Sequence, residues 1–191
     1  MPEEYGAAGG SFAHESVIIR RLGLAGFDHF GIALHSAIVA PYIAHYGSGE
    51  QKERWLPGLV SGDLIGAIAM TEPGAGSDLA SLQTRCEDKG DHWVVNGQKV
   101  WTSYADKADW IFCLVRTDTT RKHDGISFLL FDMMSPGVEA RPITMISGAS
   151  PFCETFFTDV KVPKGNLVGE LNKGWTMAKS LLSFERVFIG A

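Results

Sequence analysis

The sequence predicts an α+β protein in three parts: a helical N-terminal part over 1–63, an all-β barrel or sandwich over 64–170, and the first helix of a C-terminal helical domain over 171–191. Three observations carry this reading. Apolar residues recur at helical spacing up to about Ser61, the period shifts toward two after Leu64, and helical spacing returns after Leu171. In the helical part, Ser11 and Phe12 open a run with Val17, Ile18, Leu22 and Leu24 that stops near Gly26. A second run from about His29 to Tyr46 carries Ile32, Leu34, Ile38, Val39, Tyr42 and Ile43, and Pro41 predicts a kink or break in it. A third begins near Glu50 and carries Trp55 and Leu56; Pro57 is expected to interrupt it, and Ser61-Gly62-Asp63 closes the region.

Strands are predicted near 64–70, 84–87, 110–115, 126–131, 138–142 and 154–162, separated by turn residues such as Lys122-His123-Asp124-Gly125 and Ser135-Pro136-Gly137. The clearest local signal is His92 to Val95, Asn96-Gly97, then Gln98 to Thr102. It predicts a two-stranded hairpin, because Asn-Gly supplies the positive φ angles of a type I′ turn. From Leu171-Asn172-Lys173-Gly174 the chain enters a buried helix with Trp175, Met177, Ala178, Leu181 and Leu182. Its apolar end at Ile189-Gly190-Ala191 predicts a truncated piece of a larger protein.

Composition bounds the function. With 17 Lys plus Arg against 22 Asp plus Glu, the net charge of −5 disfavours nucleic-acid binding, which needs a basic face. The 45% apolar content supports a core, and no apolar run reaches the roughly 18 residues of a membrane span. The acidic start Met1-Pro2-Glu3-Glu4 resembles neither a secretory signal nor a transit peptide, so a cytoplasmic setting is expected. Cys86, Cys113 and Cys153 are widely spaced, which predicts buried thiols and no zinc site. The six histidines contain no metal-binding pattern, so no metal is expected. Arg116, Arg121, Lys122 and Lys107 read as a solvated face.

The stretch Ala69-Met70-Thr71-Glu72-Pro73-Gly74-Ala75-Gly76-Ser77-Asp78-Leu79-Ala80-Ser81 runs a strand into a turn of small residues, where backbone N–H groups can approach a ligand. It is neither a dinucleotide fingerprint nor a P-loop. For Glu72 and Asp78, turn hydrogen bonds and a role in a site remain equally open.

This stretch resembles the first signature of the acyl-CoA dehydrogenases. Asn96-Gly97-x-Lys99-x-Trp101-x-Ser103 is similar to the family's second flavin-contacting segment. Tyr46 to Lys52 with Trp55-Leu56-Pro57, and Val160-x-Val162-Pro163 with Asn166-Leu167-Val168-Gly169, match family usage on either side. The resemblance implies a partial acyl-CoA dehydrogenase-like fold that binds FAD over 68–77, with Ile68, Met70, Thr71, Gly76 and Ser77 in contact with it. It further implies that Trp101 packs on the flavin beside Thr102, and that Ser103, where the family more often has Thr, sits near flavin N5. By the same resemblance, Phe184-Glu185-Arg186 places a catalytic base at Glu185, with Ser77, Ser183, Phe184 and Arg186 along the path of the acyl-CoA substrate. The implied reaction is α,β-dehydrogenation of an acyl-CoA to the trans-2-enoyl-CoA, with electrons passed to an electron transfer flavoprotein and a homo-oligomeric parent protein. Two alternatives stand beside it: a non-catalytic flavin-binding or structural module, and an acyl-CoA oxidase using oxygen.

Overall fold

A computed structural model describes residues 1–27, 31 and 34–180. The first helix, α1 (Phe12–Leu24), starts at Ser11, whose side chain and that of His14 reciprocally cap the helix start. A π-helical turn, His35–Val39, runs directly into α2 (Ala40–Tyr46). Pro41, where a kink or break is expected, lies in the first turn of α2, just after this turn, in which Ala40 N–H bonds back to His35 O. Helix α3 (Gly49–Ser61) is capped by a Ser48 and Gln51 box and ends at Gly62, which has φ 83°.

Pro57 does not interrupt α3, contrary to expectation. Trp55, Leu56 and Leu59 on its apolar face are buried. That packing outweighs the hydrogen bond the proline removes.

Eight strands follow: β1 (Gly66–Ala69), β2 (Arg85–Asp88), β3 (His92–Ser103), β4 (Trp110–Arg116), β5 (Ile126–Asp132), β6 (Val138–Ile143), β7 (Phe152–Pro163) and β8 (Leu167–Val168). They form one mixed sheet in the order β6-β7-β3-β2-β4-β5-β8, with β1 parallel to β4. β4 alternates between two buried faces. Ile111, Cys113 and Val115 meet Val95, Leu129, Phe157 and Val160 in an interior cluster, which requires the sheet to curl on itself. Phe112 and Leu114 point the other way, toward Tyr42, Ile43 and Leu56 of the helices. There Phe112 stacks on Phe128 at 4.3 Å between ring centroids. The helix over 174–180 packs into the same outer cluster through Met177 and Ala178, and Tyr42 donates a 3.1 Å hydrogen bond to Met177 O.

The expected Asn96-Gly97 hairpin is absent: these residues lie inside the continuous strand β3. The reason is that both edges of β3 are taken, by β2 along its first part and by β7 along most of its length. Asn96 clasps a bulge in β7 instead, accepting from Asp159 N–H at 2.9 Å and donating to Asp159 Oδ1 at 3.0 Å. Gly97 is required by close approach, since a Cβ there would lie 2.6 Å from Thr84 Cα. The tight turn sits earlier, where Lys89 N–H bonds to His92 O between β2 and β3.

Candidate functional site

Four parts of the chain, far apart in sequence, meet at one cavity of about 340 Å³. They are the end of β1 with the small-residue turn (Ile68, Met70, Thr71, Gly76, Ser77, Leu79), the end of β3 (Val100, Trp101, Ser103), and Leu34 with Trp175 from the helices. Seven of the predicted cofactor residues line it: Ile68, Met70, Thr71, Gly76, Ser77, Trp101 and Ser103. Thr102 does not. Its side chain is buried in the sheet interior, with its hydroxyl 2.8 Å from that of Thr155.

A second bulge causes this separation. Lys99 pairs with Thr155 and Thr102 with Cys153, so β3 carries an extra residue between them. Trp101 absorbs it at φ 62°, in the left-handed region, at a cost of about 1–2 kcal/mol for a residue with a Cβ. Trp101 is left 53% exposed beside the cavity, its ring edge-on to Phe152.

Behind the cavity wall lies a buried ion pair. The Lys99 ammonium, with no exposed surface, donates to Glu72 Oε1 and to Met70 O, both at 2.9 Å. Glu72 also accepts from Thr84 N–H at 2.8 Å and Gln83 N–H at 2.6 Å. Burial alone would raise the Glu72 carboxyl, but the Lys99 charge and these hydrogen bonds outweigh it and hold it below its ordinary value. Of the two roles left open for Glu72 and Asp78, Glu72 is thus a buried anchor of the turn. Asp78 is an exposed turn residue, accepting from Ser81 Oγ and Lys122 Nζ.

Arg116 departs from the solvated face expected of it. It is 8% exposed, and its guanidinium donates to the carbonyls of Ala80, Leu82, Arg121 and Lys122. A planar group with five donors can satisfy such a ring of carbonyls, which a flexible surface cation would not. The three cysteines are buried, and burial pushes the thiols of Cys86 and Cys113 up to about 12, so neither is a nucleophile at neutral pH. Among the described residues no cluster of His, Cys, Asp and Glu is arranged to hold a metal, and no helix is long and apolar enough to cross a membrane. The predicted base Glu185, and Ser183, Phe184 and Arg186, lie outside the described residues.

The acyl-CoA dehydrogenase N-terminal domain model matches residues 1–63, and the acyl-CoA dehydrogenase middle domain model matches residues 67–160. The chain belongs to the acyl-CoA dehydrogenase family. A curated acyl-CoA dehydrogenase of Mycobacterium tuberculosis is 42% identical over 187 residues, covering 97% of this chain and 26% of the relative. The mitochondrial long-chain specific acyl-CoA dehydrogenase of Mus musculus is 37% identical, covering 99% of this chain and 45% of the relative. The crystal structure of an acyl-CoA dehydrogenase from Geobacillus kaustophilus superposes with a TM-score of 0.92 at 44% identity, over 97% of this chain and 50% of that one. The chain therefore spans about half the length, or less, of the relatives it matches.

The wall suits a flavin, the cofactor this family implies. Leu34, Ile68, Met70, Val100, Trp101 and Trp175 offer apolar and aromatic surface to a flat ring system, while the hydroxyls of Thr71, Ser77 and Ser103 can meet a polar ring edge. Leu34 and Trp175 belong to no motif, and their helical spacing marks them only as core; Leu79 and Val100 lie within the two motif stretches, at positions the resemblance does not assign to the site.

Proposed function

We propose that this chain forms the flavin-facing part of an FAD-dependent acyl-CoA dehydrogenase, which converts an acyl-CoA to the trans-2-enoyl-CoA and passes electrons to an electron transfer flavoprotein. The observation that carries the reading is the convergence of Ile68, Met70, Thr71, Gly76, Ser77, Trp101 and Ser103 from two motifs onto one cavity. FAD, when bound, would accept the hydride that leaves the β carbon. Met70 and Thr71 would present backbone groups to it, Trp101 its ring, and Ser103 a hydroxyl donor. Glu185 would take the α proton as a carboxylate, while Ser77, Ser183 and Arg186 would line the way in for the thioester. A division into units at 63/64 and 170/171, homo-oligomerisation and a cytoplasmic setting belong to the same reading.

The test is the visible spectrum of the purified chain with added FAD, before and after anaerobic addition of mixed acyl-CoA esters. Retained flavin that bleaches is expected; a protein that never holds FAD overturns the reading. Glu185→Gln should hold FAD without bleaching, and bleaching that persists places the base elsewhere. Oxygen uptake during turnover would shift the acceptor from a flavoprotein to oxygen.

A further inference from the structure

A fully buried ammonium inside a sheet is costly unless its hydrogens are used, and the hydrogens of Lys99 are spent in one place. Its Nζ reaches the Met70 carbonyl and Glu72, and Glu72 in turn binds the backbone of Gln83 and Thr84. On the far side of the same backbone, Val100 N–H donates to Thr71 O at 2.9 Å. The two residues between these ties, Met70 and Thr71, are cavity wall. We propose that the Lys99 and Glu72 pair is a positioning clasp for the flavin-facing loop, holding the Met70 carbonyl so that the Met70–Thr71 backbone and the Trp101 bulge keep a fixed separation across the cavity.

The proposal rests on the flavin reading of the cavity, and it makes a demand that mere stabilisation does not. A buried pair that only supports the fold can be replaced by neutral side chains with the cavity unchanged. A clasp cannot, because nothing then fixes the Met70 carbonyl. Neither residue needs to touch the flavin, so both are positioning residues.

The decisive variant is Lys99→Met combined with Glu72→Gln, which removes both charges and keeps an amide acceptor for the 83–84 backbone. Glu72→Asp, which keeps the charges and shortens the reach by one methylene, is the milder second variant. Val162→Ala, in the sheet interior, is the control for general loosening. Amide hydrogen exchange of Glu72, Ala75 and Val100 without FAD, the FAD dissociation constant and the bound-flavin spectrum are the readouts.

In the double variant, exchange at these amides should rise about tenfold over that in Val162→Ala. FAD affinity should fall about tenfold with a shifted long-wavelength band, and Glu72→Asp should lie between. Unchanged exchange overturns the clasp. Faster exchange with unchanged affinity and spectrum overturns its role toward the flavin and leaves the flavin reading intact. Faster exchange in a protein whose wild type takes up no FAD retains the clasp and overturns the flavin reading.

Discussion

Replacing Arg116 with methionine keeps the side-chain stem in the interior and removes all five donors. The carbonyls of Arg121 and Lys122 belong to exposed residues and can turn to water, whereas those of Ala80 and Leu82 belong to residues only 2% exposed. Hydrogen bonds to a charged group are worth about 1.5–3 kcal/mol each, so two stranded carbonyls set a gross loss of roughly 3–6 kcal/mol. Part of this returns, because burial holds the guanidinium below its ordinary value against the raising influence of Glu72 and Asp118. Methionine escapes that desolvation. A net loss of about 2–3 kcal/mol should lower the midpoint of thermal unfolding, followed by circular dichroism, by about 4–12 °C for a chain of this size. Arg116→Lys should fall between, since one ammonium cannot reach four carbonyls. A drop in Arg116→Met under about 2 °C would mean that water already serves those carbonyls, and the argument for a structural guanidinium would fail.

Four further outcomes are expected. Gly97→Ala drives a Cβ onto the Thr84 backbone and should cost about 1–3 kcal/mol in urea denaturation; a neutral result would refute the close approach. Glu72→Gln leaves the Lys99 charge buried and unpaired, and should cost about 3–5 kcal/mol at neutral pH. Because the folded Glu72 carboxyl lies below its ordinary value, its contribution is present above the unfolded value of about 4.3 and fades as pH falls through the folded one, so the gap between wild type and variant should narrow in acid; a gap constant with pH refutes the pair. Trp101→Gly relieves the left-handed strain that Trp101→Ala retains, so the glycine variant should be about 1 kcal/mol more stable than the alanine one while both lose FAD affinity; an alanine variant at least as stable rules out strain at that position. Thr102→Val strands the Thr155 hydroxyl and should cost about 1–3 kcal/mol with FAD affinity unchanged, whereas weakened FAD binding would return Thr102 to the site.

Strand positions were legible because period and turn residues are local signals, and β4 and β5 start at Trp110 and Ile126, as their patterns predict. What misled was a local signal overruled from a distance. Asn96-Gly97 is a strong hairpin signal in isolation, but β2 and β7 hold its two flanks in one strand. Pro57 reads as a break until the buried face of α3 is known. Lys99 gives no hint of burial, because its partner Glu72 lies 27 residues earlier.

Seven residues of the cavity lining were legible through their motifs; what no motif shows is where the strand departs from alternation. In a regular strand with Lys99 facing inward, Trp101 would also face inward and Thr102 outward. The extra residue between Lys99 and Thr102 shifts the phase by one: Val100 and Trp101 both reach the cavity, Thr102 turns into the sheet, and Ser103 returns to the cavity. The bulge thus lets one short segment present an aromatic ring and a hydroxyl on the same side while Lys99, two residues before the ring, still points inward to grip the Met70 carbonyl. A strand without it would have to give up either the exposed ring or the buried clasp, so the strain at Trp101 is what allows both in one strand.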